Sequence, residues 1–108
     1  MQEDVEDAIA QVMATGRVDP RRVAIWGASY GGYAALMGVV RHPALYRCAV
    51  SVAGVSDLMQ FLEDDRRDDG ADSPIYQYWV RTIGDPKGDA AMLAVASPAK
   101  RAAEIKVP

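Results

Sequence analysis

Gly27, Ala28, Ser29, Tyr30, Gly31, Gly32 and Tyr33 follow directly on the apolar run Val23, Ala24, Ile25, Trp26. A serine with glycines two positions before and two after it, placed between an apolar run and a helical pattern, is the layout of a nucleophile elbow. A hydroxyl attacks a carbonyl well only when it stands clear of the backbone, near a base and facing N–H donors for the oxyanion. Ser29 is therefore the candidate nucleophile. The turn is expected to hold Ser29 at positive φ, an outlier for a residue with a side chain. It is also expected to bring residues 27 and 31 together, so that both should lack side chains, and Gly27 and Gly31 meet that demand. Gly32 should let the following helix approach the sheet closely, and the start of that helix aims N–H groups and a positive dipole end at developing negative charge.

The elements that position Ser29 can be read from the same stretch. Asp4 is placed to cap a first helix running to about residue 15, with Val5, Ile9, Val12 and Met13 as its apolar stripe and Gly16 closing it. Asp19, Pro20, Arg21 and Arg22 form a turn into a strand at Val23 to Trp26, and the helix after the elbow ends near Arg41, because His42 precedes Pro43. A second apolar strand is expected at about Cys48 to Ala53. Strand, crossover helix and strand make a right-handed parallel βαβ unit. From Asp57 to Lys100 the pattern is an excursion of short helices punctuated by Gly70, Pro74, Gly84, Pro86 and Gly88, after which Ile105, Lys106, Val107 and Pro108 approach a third strand.

The elbow stands inside a longer pattern. D-P-R-R-V-A-I-W-G-A-S-Y-G-G-Y-A-A-L at 19 to 36, H-P-A-L-Y-R-C-A-V-S-V-A-G-V-S-D at 42 to 57, I-G-D-P at 83 to 86 and S-P-A-K-R-A-A-E-I-K-V-P at 97 to 108 resemble the prolyl oligopeptidase family of serine peptidases. The likeness is to its dipeptidyl-peptidase and acylaminoacyl-peptidase branches. It implies a partial α/β-hydrolase fold, with residues 1–108 a fragment of one catalytic domain, incomplete at both ends. It also implies a peptide substrate and hydrolysis through an acyl-enzyme at Ser29, with the Tyr30 backbone N–H as an oxyanion donor. Positions matching the pocket for the side chain before the scissile bond are Tyr30, Val55, Leu58 and Phe61, with Tyr76 or Tyr78 nearby. Leu58 stands where the dipeptidyl-peptidase branch tends to have Trp, and Phe61 where it has Tyr, which removes the expectation of a strict proline preference. The aromatic cluster Tyr76, Tyr78 and Trp79 reads first as core or interface packing.

A serine hydrolase also needs a base and a carboxylate to orient it. His42 is the one histidine, and about ten helical residues at 1.5 Å each put it roughly 15 Å from Ser29, so it reads as a residue closing a helix. In the family the acid and the histidine follow the strand that I-K-V-P introduces, so they are expected beyond Pro108; the upstream strands and the β-propeller that the family usually carries are not encoded in these 108 residues. On this reading the 108 residues by themselves are inactive. An esterase on the same fold and a non-catalytic module of hydrolase ancestry are the rival readings.

Composition narrows the field further. With 108 residues the chain suits one domain but not a complete α/β-hydrolase domain, and half-apolar composition with a net charge of −3 describes an ordinary soluble sequence. No basic stripe points to nucleic acid and no apolar run is long enough for a membrane span. Cys48 is the one cysteine, which excludes an internal disulfide and a cysteine-based metal site, and no metal or cofactor is expected. The acidic run E-D-D-R-R-D-D-G-A-D at 63 to 72 fails as a calcium loop, because a loop beginning at Asp65 puts Arg67 at its third position. It reads as a solvated loop. Oligomeric state and compartment are not legible at this level.

Overall fold

The computed structural model describes residues 2–108 and is a small α/β piece. Its elements are α1 (Gln2–Ala14), β1 (Ala24–Ala28), α2 (Tyr30–Arg41), β2 (Cys48–Val52), α3 (Leu58–Asp69), α4 (Pro74–Ile83) and α5 (Ala90–Val95), followed by a 3₁₀ stretch at Pro98–Glu104. They divide into two compact units, one of residues up to Gly54 together with Ala102–Pro108, the other of Val55–Arg101. The 3₁₀ stretch crosses this boundary at a non-helical kink, Arg101.

In the first unit β1 and β2 pair in parallel, with Ala24 opposite Cys48 and Ala28 opposite Val52. Parallel neighbours need a crossover, and α2 supplies it, burying Ala35, Val39 and Val40. The pleat sends alternate residues to opposite faces. Ile25 and Ser51 face α2, where they lie beside Gly38 and Gly32, while Trp26, Val50 and Val52 on the other face are 70%, 47% and 47% exposed. The expected approach to a third strand is seen only in its last residue: the Ala49 N–H donates to the Pro108 carbonyl at 3.0 Å, and residues 105–108 are not themselves strand.

Two boundaries differ from the sequence reading in this unit. The first helix already includes Gln2, so Asp4 lies within its first turn beside Glu3 instead of capping it. Strand β1 continues through Gly27 and Ala28, because the turn is concentrated at Ser29 alone. Gly16, at φ 69°, closes α1 as its permissive backbone allows.

The second unit is the expected excursion of short helices. Asp57 caps α3, accepting from the Met59 and Gln60 N–H groups at 3.1 and 3.2 Å, and Ser73 caps α4 through the Ile75 N–H at 3.2 Å. Leu62, Leu93, Pro98 and Ser97 are fully buried. The acidic run is not a loop from its start: residues 63–69 complete α3, which ends at Gly70 with φ 91°. Pairs at helical spacing account for this, Gln60 to Asp64 at 2.9 Å and Arg67 to Asp64 at 2.8 Å.

Candidate active site

Ser29 occupies the junction of β1 and α2 with φ 53° and ψ −122°. For an L-residue that conformation is strained and persists only where its surroundings over-determine it. Backbone bonds on both sides do so here. The Ser29 N–H donates to the carbonyl of Val52, the last residue of β2, at 2.9 Å, and the Ser29 carbonyl accepts from the Tyr33 N–H at 3.1 Å. A serine at a helix start ordinarily spends its oxygen on an N–H of the first turn. Ser29 makes no such bond, and the residue is exposed. Its main chain is thus committed and its hydroxyl is not used as a cap.

The glycines around it carry unequal demands. A Cβ on Gly27 would collide with the carbonyl carbon and oxygen of Gly31 and lie 2.9 Å from its Cα, so position 27 admits no side chain. A Cβ on Gly31 would meet nothing within 4 Å. The symmetrical expectation for the two positions therefore holds only for Gly27, because the Gly31 backbone itself occupies the space. Gly32 behaves as expected: its Cβ would lie 2.7 Å from the Ser51 Oγ and 2.8 Å from the Gly54 Cα, so the first turn of α2 rests directly on the end of β2.

Tyr30 opens α2, and no acidic residue stands in that first turn to offset the positive end of the helix dipole. Tyr30 is 53% exposed, and its ring tilts against that of Tyr33, with centroids 5.8 Å apart. Burial pushes the Tyr33 phenol above its ordinary range. His42 closes the other end of α2, where its N–H donates to the Gly38 carbonyl and its Nε2 lies 3.0 Å from the Glu6 Oε1. It faces α1 rather than Ser29.

The remaining sequence-derived site residues belong to the second unit. Val55 precedes α3, Leu58 is its first residue and is buried, and Phe61 lies one turn on with its ring edge-on to Trp79 at 5.5 Å. Trp79 in turn meets Tyr78 at 4.9 Å, while Tyr76 is buried, so the aromatic cluster packs within its own unit. Ser29 and Tyr30 are brought together by the elbow; Leu58 and Phe61 lie one turn apart on α3, and Val55 precedes it.

Sequence reasoning did not single out Ala53, which has φ 50° immediately after β2. Its position matches that of Ser29 after β1, since Ala28 and Val52 are partners in the register. The signal available was the Gly54 that follows an apolar strand, a mark of a sharp exit.

Comparison with known proteins places this arrangement. A model of the prolyl oligopeptidase family matches residues 1–108. The chain is 34% identical over 117 aligned residues to the dipeptidyl aminopeptidase BIII of Pseudoxanthomonas mexicana, a match covering 100% of this chain and 16% of that protein. It is 43% identical over 54 residues to the dipeptidyl peptidase 4 of Bos taurus and 39% identical over 54 residues to the prolyl endopeptidase FAP of Homo sapiens, each covering 50% of this chain and 7% of the relative. The chain spans less than a fifth of the length of these curated relatives. It belongs to the prolyl oligopeptidase family.

Proposed function

We propose that this chain carries the nucleophile-bearing part of an α/β-hydrolase catalytic domain, and that the protein containing it is a serine peptidase. The observation that carries the reading is the conformation of Ser29, at φ 53° between a parallel strand and a helix with its hydroxyl unspent on capping. Family membership and relatives named as dipeptidyl and prolyl peptidases support a peptide as substrate.

In this mechanism the Ser29 Oγ attacks the scissile carbonyl carbon as its proton passes to a base. The oxyanion is stabilised at the start of α2, with the Tyr30 N–H as one donor. Collapse breaks the C–N bond, the amine leaves with the proton, and water then hydrolyses the ester to free Ser29. The base belongs to the containing protein outside residues 1–108, because His42 stands at the far end of α2 beside Glu6. Tyr30, Val55, Leu58 and Phe61 are assigned to the pocket for the side chain before the scissile bond. With Leu58 and Phe61 at these positions the assigned side chains stay apolar, and a strict preference for proline is not proposed.

Turnover of peptide and activated-ester substrates by the containing protein, with and without Ser29→Ala, tests this reading. We expect Ser29→Ala to lower kcat by about 10⁴-fold or more with both substrates. Undiminished peptide turnover in Ser29→Ala would refute it, and ester turnover without peptide turnover would reassign the protein as an esterase.

A further inference from the structure

The loop leaving β2 carries an unusual contact. After Val52 the backbone turns through Ala53 at φ 50°, and Gly54 then lies directly against the first turn of α2. A Cβ on Gly54 would collide with the Ser51 Oγ, and would lie 2.6 Å from the Gly32 carbonyl carbon and 2.7 Å from the Tyr33 nitrogen. From the other side, a Cβ on Gly32 would lie 2.8 Å from the Gly54 Cα and 3.0 Å from its nitrogen. Two main chains thus meet at these glycines, with the Ser51 Oγ the nearest side-chain atom to both would-be Cβ positions.

The contact is placed to matter. The Tyr33 N–H beside Gly54 is the one that donates to the Ser29 carbonyl, and Val52, two residues before Gly54, accepts from the Ser29 N–H. Both bonds that hold Ser29 in its strained conformation therefore end on the two chains that meet at Gly54. We infer that Gly54 is a positioning residue for Ser29, acting by letting the β2 exit loop press on the first turn of α2 and so holding the elbow in register. This rests on Ser29 being the nucleophile. A methyl group at position 54 would have to open the gap to Gly32 from 2.6 Å towards the 3.4 Å of ordinary contact. A displacement approaching 1 Å in a catalytic group costs on the order of 10²-fold in rate.

The test uses the containing protein, a fluorophosphonate probe and mass spectrometry of the Ser29 peptide. Gly54→Ala should label Ser29 about 10²-fold more slowly per folded molecule, with kcat falling in parallel and KM nearly unchanged. The pair Ser51→Ala with Gly54→Ala removes the collision with the Ser51 Oγ but keeps both contacts with α2, so it should retain most of the loss and carries the test if Gly54→Ala alone does not fold. Leu93→Ala, in the buried core of the second unit, should lower thermal stability while its folded molecules label at the wild-type rate. Wild-type labelling in Gly54→Ala, an equal loss in Leu93→Ala, or failure of both Gly54 variants to fold would each overturn the inference. Absence of label at Ser29 in the wild type would instead refute the nucleophile assignment.

Discussion

At the carboxyl ends of β1 and β2 the chain is held by contacts from which side chains are excluded: Gly27 on Gly31, and Gly32 on Gly54. At the starts of α3 and α4 it is held by side-chain oxygens. Asp57 and Ser73 cap their helices, and the Ser97 Oγ, fully buried, accepts from the Leu58 N–H at 2.9 Å while donating to the Leu93 carbonyl at 2.7 Å. Main chain against main chain leaves little room to relax, which suits a strained residue such as Ser29. Side-chain caps can be exchanged singly at about 1 kcal/mol each, so this unit tolerates single changes more readily.

Four predictions can break that comparison. The largest effect belongs to Gly27→Ala, whose Cβ meets Gly31 backbone that cannot move aside; we expect loss of about 4 kcal/mol or more, or of folding altogether. Gly31→Ala is its internal control, with nothing near its Cβ; within α2 the substitution should be neutral or stabilise by about 0.5–1 kcal/mol. Denaturant unfolding of the two variants side by side measures the difference, and equal destabilisation would contradict it.

In the second unit Ser97→Ala comes next. It leaves the buried Leu58 N–H without its acceptor, for a loss of about 1–3 kcal/mol in the same measurement. Asp57→Ala should cost about 1 kcal/mol through the lost cap. If either exceeds Gly27→Ala, the contrast between the two regions fails.

The smallest effect is a pH dependence. Lys100, 2.8 Å from Asp57, holds that carboxyl below the usual carboxylate range, with help from the Gln60 and Met59 N–H groups, and Asp57 raises the Lys100 ammonium above its usual range. A depressed carboxylate contributes stability above its ordinary pKa of 3.8 that is lost as pH falls through the folded value; a raised ammonium contributes below 10.5 and loses that contribution as pH rises through its folded value. Lys100→Met should therefore lower stability modestly between about pH 4 and 10 and converge with the parent outside that window. A difference that grows outside it would contradict the assignment.

The elbow and the βαβ unit were legible because glycine spacing and apolar runs are local signals. What the sequence hid depends on contacts between segments. Ala53 at positive φ is marked only indirectly, by the Gly54 that follows it, since alanine itself favours ordinary backbone, and the closeness of Gly32 to Gly54 exists only once β2 and α2 meet. Ser97 reads as an ordinary turn serine until Leu58 and Leu93 surround it. Residues 63–69 were read as loop from their charge, although charges at helical spacing pair and extend α3. Leu58 and Phe61 show the limit from the other direction: residue type alone does not separate an apolar residue that lines a pocket from one that fills a core, and here Leu58 is buried and Phe61 sets its ring edge-on to Trp79.

The central claim is that the strained junction at Ser29 presents a reactive hydroxyl. Peptide mapping of the containing protein after fluorophosphonate treatment tests it most directly. A single phosphonyl adduct on the Ser29 Oγ, abolished by Ser29→Ala and slowed by a competing peptide substrate, is the predicted result. An unmodified Ser29 peptide in protein that still cleaves peptides, or an adduct on another serine, would contradict it.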